Sequence, residues 1–308
     1  ATHQSAAVEH GAPTWNISLD DVHTTRADGK GGRKEAGVVH HRGGLPDEHV
    51  EIVNGIPVSV AARCAVETVT VVQLEQALVV VNGLLHAKKL SLTSFHDMVG
   101  QCRHWPRSIS TNVLLLLADP RIESVGESRT SYLCWAQRLP RPEPQVDVFD
   151  ADGVLVGRVD FAWPDRKVFL EFDGRIKYEK FRRPGETLEE FLLREKKRQE
   201  RISLLTGWTC IRITWGDLGN PVETARRIRL VVQQGEEQFA VLLFSPVYNS
   251  TSMPGTVEKR RHLLRGYATA ALLAIGYGVL VAVRTGDAAP ATGGGGAAGR
   301  GRLQTSNA

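Results

Sequence analysis

Two short stretches with strict period-2 alternation, Gly157 to Trp163 and Val168 to Asp173, restrict the fold of this chain more than any other feature. In the first, Val159, Phe161 and Trp163 alternate with Arg158, Asp160 and Ala162. In the second, Val168, Leu170 and Phe172 are apolar while Glu171 and Asp173 fall on the other face. This is the pattern of half-buried strands, and Pro164-Asp165-Arg166-Lys167 supplies the turn of a hairpin. If Trp163 pairs with Val168, the register places Asp160 opposite Glu171. Facing Cβ atoms on one side of an antiparallel pair lie about 5 Å apart, where two like charges repel unless something positive sits between them. A divalent cation meets that need.

The chain has 308 residues, 42% of them hydrophobic, enough for two globular units and a tail. Its net charge is only +4, but residues 175–212 hold eleven Lys/Arg against six Asp/Glu, an excess of five beside the carboxylates. Such a field suits a polyanion or forms a solvated helix face. Cys64, Cys102, Cys134 and Cys210 are scattered, with no Cys-x-x-Cys pair, which implies structural roles in a reducing compartment. No export signal is visible at the N-terminus, so a cytoplasmic location is expected. The histidines, including His40-His41 and His104, lack zinc-site spacing and read as surface or loop residues.

Residues 1–120 read as a small α/β unit with a short apolar run at Gly55 to Val60 and a helix over Val69 to Leu85. The second unit, 121–233, opens with Ser124-Val125-Gly126-Glu127, a capping-box pattern ahead of a helix that Pro140 ends. A strand at Val146 to Phe149 precedes the hairpin. Thr187-Leu188-Glu189-Glu190 starts a helix stopped by Gly207, and a fourth strand covers Thr209 to Thr214. The predicted order is αβββαβα. Residues 234–308 form a tail with an uncharged segment from Tyr267 to Val283, just under the ~20 residues a spanning helix prefers, so it reads as an interfacial or poorly ordered segment rather than a membrane anchor.

Phosphodiester hydrolysis needs an activated water and positive charge near the phosphorus oxygens; Mg²⁺, with Mn²⁺ as substitute, held by two carboxylates supplies both. Asp160 and Glu171 are the expected ligands. Asp173 shares their face and either adds a water-mediated ligand or pairs with Arg158. Lys177 lies just past the strand, as a charge-stabilising lysine or an ordinary loop residue. On the helix after Thr187, Leu188, Phe191, Leu192 and Ile202 make an apolar stripe at about 100° per residue. Glu195 falls inside that stripe, so it points at the site or pairs with an arginine. Glu127 is either a cap alone or a catalytic or metal-supporting group. Arg175, Lys196, Lys197, Arg198 and Arg201 are candidates for phosphate contacts, or for plain solvated surface.

Arg158-Val159-Asp160-Phe161-Ala162-Trp163, Leu170-Glu171-Phe172-Asp173-Gly174, Glu195-Lys196-Lys197-Arg198 and Arg212-Ile213-Thr214-Trp215-Gly216-Asp217-Leu218 together resemble the Vsr-like branch of the PD-(D/E)XK nuclease superfamily over about Glu123 to Arg229. The resemblance implies a restriction-endonuclease-like αβββαβ core with Asp160 and Glu171 as its two acidic positions and Glu127 as the acid of the first helix. It implies a metal-dependent DNA endonuclease. The chain departs from the pattern at Asp173, where the motif's lysine should stand, so the lysine role is displaced to Lys177 or absent. In the second case the protein is a catalytically inactive DNA- or protein-binding module. Thr2-His3-Gln4-Ser5-Ala6-Ala7 followed by His10-Gly11 resembles relatives of AbiEi-type antitoxins, which implies a cognate toxin or other protein partner. No feature of the sequence sets an oligomeric state.

Overall fold

A computed structural model describes residues 1–26, 28, 32–150, 152–174 and 182–244. The fold is mixed α/β, built from helices and several small sheets. Ala1–Ser245 form one compact unit. The apolar segment 267–283 lies outside the described residues. No described helix is long and apolar enough to cross a membrane.

The N-terminal part contains α1 (His3–Glu9), then β1 (Val22–Arg26), β2 (Arg33–Glu35) and β3 (Val38–Arg42) in the order β1-β3-β2. A ribbon of β4 (Val50–Val53) and β5 (Ile56–Ser59) follows, then α2 (Ala61–Val71), α3 (Leu74–His86), α4 (Leu92–Gln101) and α5 (Ser108–Leu117). Their shared core includes Ala7, Val69, Leu78, Leu84, Phe95 and Leu114. The helix expected over 69–85 is two helices. Gln73 is extended and caps α3 reciprocally with Gln76, which starts a new helix between the two apolar runs. The Arg107 guanidinium donates to the carbonyls of Val69 and Val72, satisfying the end of α2.

A buried ionic network ties α1, β5 and α2 together. Glu67 is 1% exposed and accepts from Arg63 Nε at 2.7 Å, the Ser59 hydroxyl at 2.9 Å and the His3 amide at 3.1 Å. Arg63 also donates to the Gly44 carbonyl and meets His49 Nδ1.

The histidines correct the surface reading. His41 stacks on His3 with ring centroids 3.6 Å apart, and its Nε2 is 2.7 Å from His23 Nδ1, so one ring donates and the other accepts. Burial, then the neighbouring rings, pushes His3 from 6.5 down to about 2; burial and then His23 push His41 down to about 4. For a histidine held neutral when folded, the stabilisation is complete above the unfolded value near 6.5 and is lost as pH falls below it. Thermal midpoints followed by circular dichroism should therefore drop between pH 6.5 and about 4.5, before most carboxylates titrate. His41→Gln should flatten that slope, and an unchanged slope would count against this origin.

The second part runs α6 (Val125–Ala136), β6 (Glu143–Phe149), β7 (Leu155–Trp163), β8 (Val168–Asp173), α7 (Leu188–Thr206), β9 (Thr209–Thr214), α8 (Trp215–Gly219) and α9 (Pro221–Phe244). The sheet order is β6-β7-β8-β9, with β8 and β9 parallel across α7 and the other pairs antiparallel. Trp163 pairs with Val168 and Phe161 with Leu170, the expected register. The strands are more buried than the alternation implies, because both faces are covered. Phe161, Trp163, Leu170 and Phe172 pack with Leu133 of α6 and Ile228 of α9, while Ala162 and Phe169 pack with Ile202 of α7. From Phe161 onward alternation separates two cores rather than core from water, while Val159 joins the α7 side.

Helix α6 approaches the sheet through Gly126, where a Cβ would overlap the Phe172 ring. Gly126→Ala gains helix propensity, worth up to about 1 kcal/mol. Overpacking costs about 1–3 kcal/mol and should win against a ring that is itself buried. The expected result is a lower urea midpoint with an unchanged slope. A variant as stable as the parent would show that the helix can simply lift.

Candidate functional site

Glu127 from α6, Asp160 from β7, Glu171 from β8 and Glu195 from α7 line one cavity of about 720 Å³, with Glu123, and Asp147 of β6, in the same lining. Arg158, Arg194 and Arg198 share its lining, and Phe172, Phe191 and Trp215 supply an apolar wall. Asp160 and Glu171 lie one step along the register from Phe161 and Leu170, and both are 8% exposed. Asp160 Oδ2 accepts the Phe172 amide at 2.8 Å, so this side chain ends the ladder between the two strands. Glu171 Oε1 lies 3.2 Å from Arg198 Nη2.

Glu127 is 2% exposed and accepts from the Ser124 hydroxyl at 2.7 Å, the Glu123 amide at 3.1 Å and Gln145 Nε2 at 2.8 Å. It caps α6 and faces the cavity at once. Burial first, then the charge of Asp160, raise its pKa above the ordinary carboxylate value. Gln145 sits within β6 at φ +54°, a left-handed conformation that costs about 1–3 kcal/mol for a non-glycine residue. Its amide is thereby in reach of Glu127. Sequence reasoning missed Gln145, since nothing local marks a left-handed residue between Pro144 and Val146.

Glu195 lines the cavity and pairs with Arg194 at 3.2 Å and Arg198 at 3.0 Å. Asp173 is turned toward β9, with Arg212 Nη1 at 3.5 Å, and does not line the cavity. Arg158 pairs instead with Asp147 across β6 and β7 at 2.7 Å. Lys196 and Lys197 are exposed, the former 3.9 Å from Glu200, and Arg201 lies 3.8 Å from Asp150. Of these expected phosphate contacts on α7, Arg198 lines the cavity, beside Arg194 of the same helix. Lys177 and Arg175 lie outside the described residues.

Among the described residues, no group of three or more His, Cys, Asp or Glu side chains is arranged to hold an ion. The cavity's acidic donors are carboxylates, which suit a hard cation such as Mg²⁺ that takes one or two carboxylates and keeps several waters. Asp160 and Glu171 fit that role chemically, with Glu127 adjoining.

Comparison with known proteins gives three findings. The CHASE domain family model matches residues 215–276, from the start of α8 through α9 and beyond the described residues. Two uncharacterized proteins of Mycobacterium tuberculosis, one from strain CDC 1551 / Oshkosh and one from strain ATCC 25618 / H37Rv, are each 29% identical over 192 residues. The match covers 62% of this chain and 66% of theirs, so the chain spans just under two thirds of their length. No solved structure matches.

These findings overturn the resemblances drawn from the sequence. The family model that matches, over residues 215–276, is the CHASE domain, and neither the Vsr-like branch of the PD-(D/E)XK superfamily nor the AbiEi-type antitoxin relatives; the nuclease, DNA-binding and antitoxin descriptors fall with them. The physical reason is that acids facing each other across a hairpin arise wherever strands border a polar cavity. Such spacing describes a site, and a fold or site does not name a family.

Proposed function

We propose that the carboxylate-lined cavity is a divalent-cation-dependent site for hydrolysis of phosphodiesters. The convergence of Glu127, Asp160 and Glu171 from three elements carries the reading. Mg²⁺ or Mn²⁺, when bound, would supply positive charge to the phosphoryl oxygens and a more acidic water. Asp160 and Glu171 would hold it. Glu127, with its raised pKa, is suited to carry a proton to or from the reacting oxygen. Arg194 and Arg198 would neutralise the phosphate, and Phe172, Phe191 and Trp215 would pack against the organic part of the substrate. The αβββαβ order of residues 125–214, the finer restriction-endonuclease-like architecture expected from sequence, supports this reading only as a scaffold. A polyanionic substrate, a protein partner and a cytoplasmic location belong to the same proposal.

The test follows p-nitrophenolate release from bis(p-nitrophenyl) phosphate and nicking of plasmid DNA, with Mg²⁺, Mn²⁺ or a chelator present. Turnover that needs the cation and Asp160 supports the reading; no turnover with either metal on either substrate removes it.

A second reading, a ligand-binding module without turnover, is favoured by the ion pair between Arg198 and Glu171 and by the sensory-type family match that begins at the cavity residue Trp215. It is consistent with ligand binding that survives Asp160→Asn and lacks any cation requirement.

A further inference from the structure

The guanidinium of Arg198 stands where positive charge is needed. Its Nη2 is 3.2 Å from Glu171 Oε1, its Nε is 3.0 Å from Glu195 Oε2, and its Nη1 donates to the Arg158 carbonyl at 3.0 Å. Three anchors from three elements hold it, and its stem passes Gly157, where an added Cβ would lie 3.6 Å from Arg198 Cδ. The Arg198 side chain is 29% exposed and the Glu171 side chain 10%, so water screens the pair only in part. Glu171 therefore already has a cation beside it, supplied by the chain.

We propose that Arg198 is the resident counterion of this carboxylate site and that a divalent cation reaches Glu171 only by displacing it. The inference deepens the reading above and rests on it. The same charge serves two states: it relieves repulsion between Glu171 and its acidic neighbours when no ion is present, and it sets a threshold of cation concentration for loading. A buried carboxylate left without any partner would be strongly destabilising, which explains why the chain provides one. The arrangement also accounts for the absence, among the described residues, of three acidic ligands already arranged about a common point.

The experiment is calorimetric titration of Mn²⁺ into the full chain and into Arg198→Gln, Arg198→Met and Arg194→Gln. Arg194 lines the same cavity but pairs with Glu186 and Glu195, so it reports the through-space effect of removing one positive charge. Arg198→Gln is expected to bind Mn²⁺ at least 10-fold more tightly than the parent, and Arg194→Gln to remain within about 3-fold. Arg198→Met keeps the stem against Gly157 and replaces the amide variant should that one melt early. Equal or weaker binding by the Arg198 variants would overturn the inference, as would equal tightening by Arg194→Gln. If the parent binds Mn²⁺ in an Asp160-dependent manner and the Arg198 variants do not tighten, the inference fails while the cation site stands. If no variant binds Mn²⁺, the cation site itself fails. Binding without turnover removes hydrolysis alone.

Discussion

Asp160→Asn is expected to abolish divalent-cation binding and cation-dependent hydrolysis while leaving the fold in place. The choice of asparagine follows from the hydrogen bond to the Phe172 amide at 2.8 Å. Asn Oδ1 can still accept that bond, so the substitution removes the charge while keeping this acceptor. Changing residues that merely support a metal ligand typically costs 10- to 100-fold in affinity, so losing a proposed ligand's charge should cost at least about that. Asp160→Ala removes the acceptor as well, and orphaning a buried amide costs about 1–3 kcal/mol. The two variants should thus share the binding defect in calorimetry but differ in urea midpoint. Glu127 adds a further readout, because its raised pKa owes part of its shift to the Asp160 charge and should fall in both variants. Mn²⁺ binding by Asp160→Asn at parental affinity would remove Asp160 from the site.

Arg63→Met should be the most damaging single change to stability. It leaves Glu67, 1% exposed, accepting bonds from Ser59 and His3 but without the guanidinium that balances its charge. Removing one partner of a buried pair typically costs 3–5 kcal/mol. In a unit of this size that is a fall of roughly 6–20 °C in the thermal midpoint. The Gly44 carbonyl and His49 lose partners in the same step. Arg63→Met combined with Glu67→Gln should recover part of the loss, since the amide oxygen can still accept from Ser59 or His3 while the uncompensated charge is gone. A double-mutant cycle would then show coupling well above 0.5 kcal/mol. A cost under about 1 kcal/mol for Arg63→Met would mean that Glu67 takes up a proton or that water enters.

The hairpin and its carboxylates were legible because strand periodicity is local. The alternation of Val159, Phe161 and Trp163 against Asp160, and the turn at Pro164, suffice to set Trp163 against Val168. Other features were hidden for stated reasons. The break between α2 and α3 lies between two apolar runs of helical character and depends on a glutamine cap of ordinary appearance. The histidine stack joins residues 3, 23 and 41 from three separate elements, and no spacing rule connects them. Asp173 shares a strand face with Glu171, but its pairing with Arg212 depends on the parallel neighbour β9, which only a crossover through α7 delivers.

Family resemblance read from these motifs was misleading for a related reason. Acidic residues facing each other across a hairpin, followed by a basic helix, answer a physical problem that many chains face. The matched family lies at 215–276, largely beyond the motifs that drew attention.

By itself, the sequence determined which segments extend, which turn, and that Asp160 and Glu171 share one side of a hairpin, because these follow from backbone geometry over a few residues. Only the tertiary structure decided what stands opposite them. Glu127 and Gln145 arrive from α6 and β6, and Arg198 arrives from α7, each through packing on a sheet whose two faces are both covered. Whether a buried carboxylate meets an amide, another acid or a guanidinium is a matter of long-range placement, which side-chain periodicity does not encode.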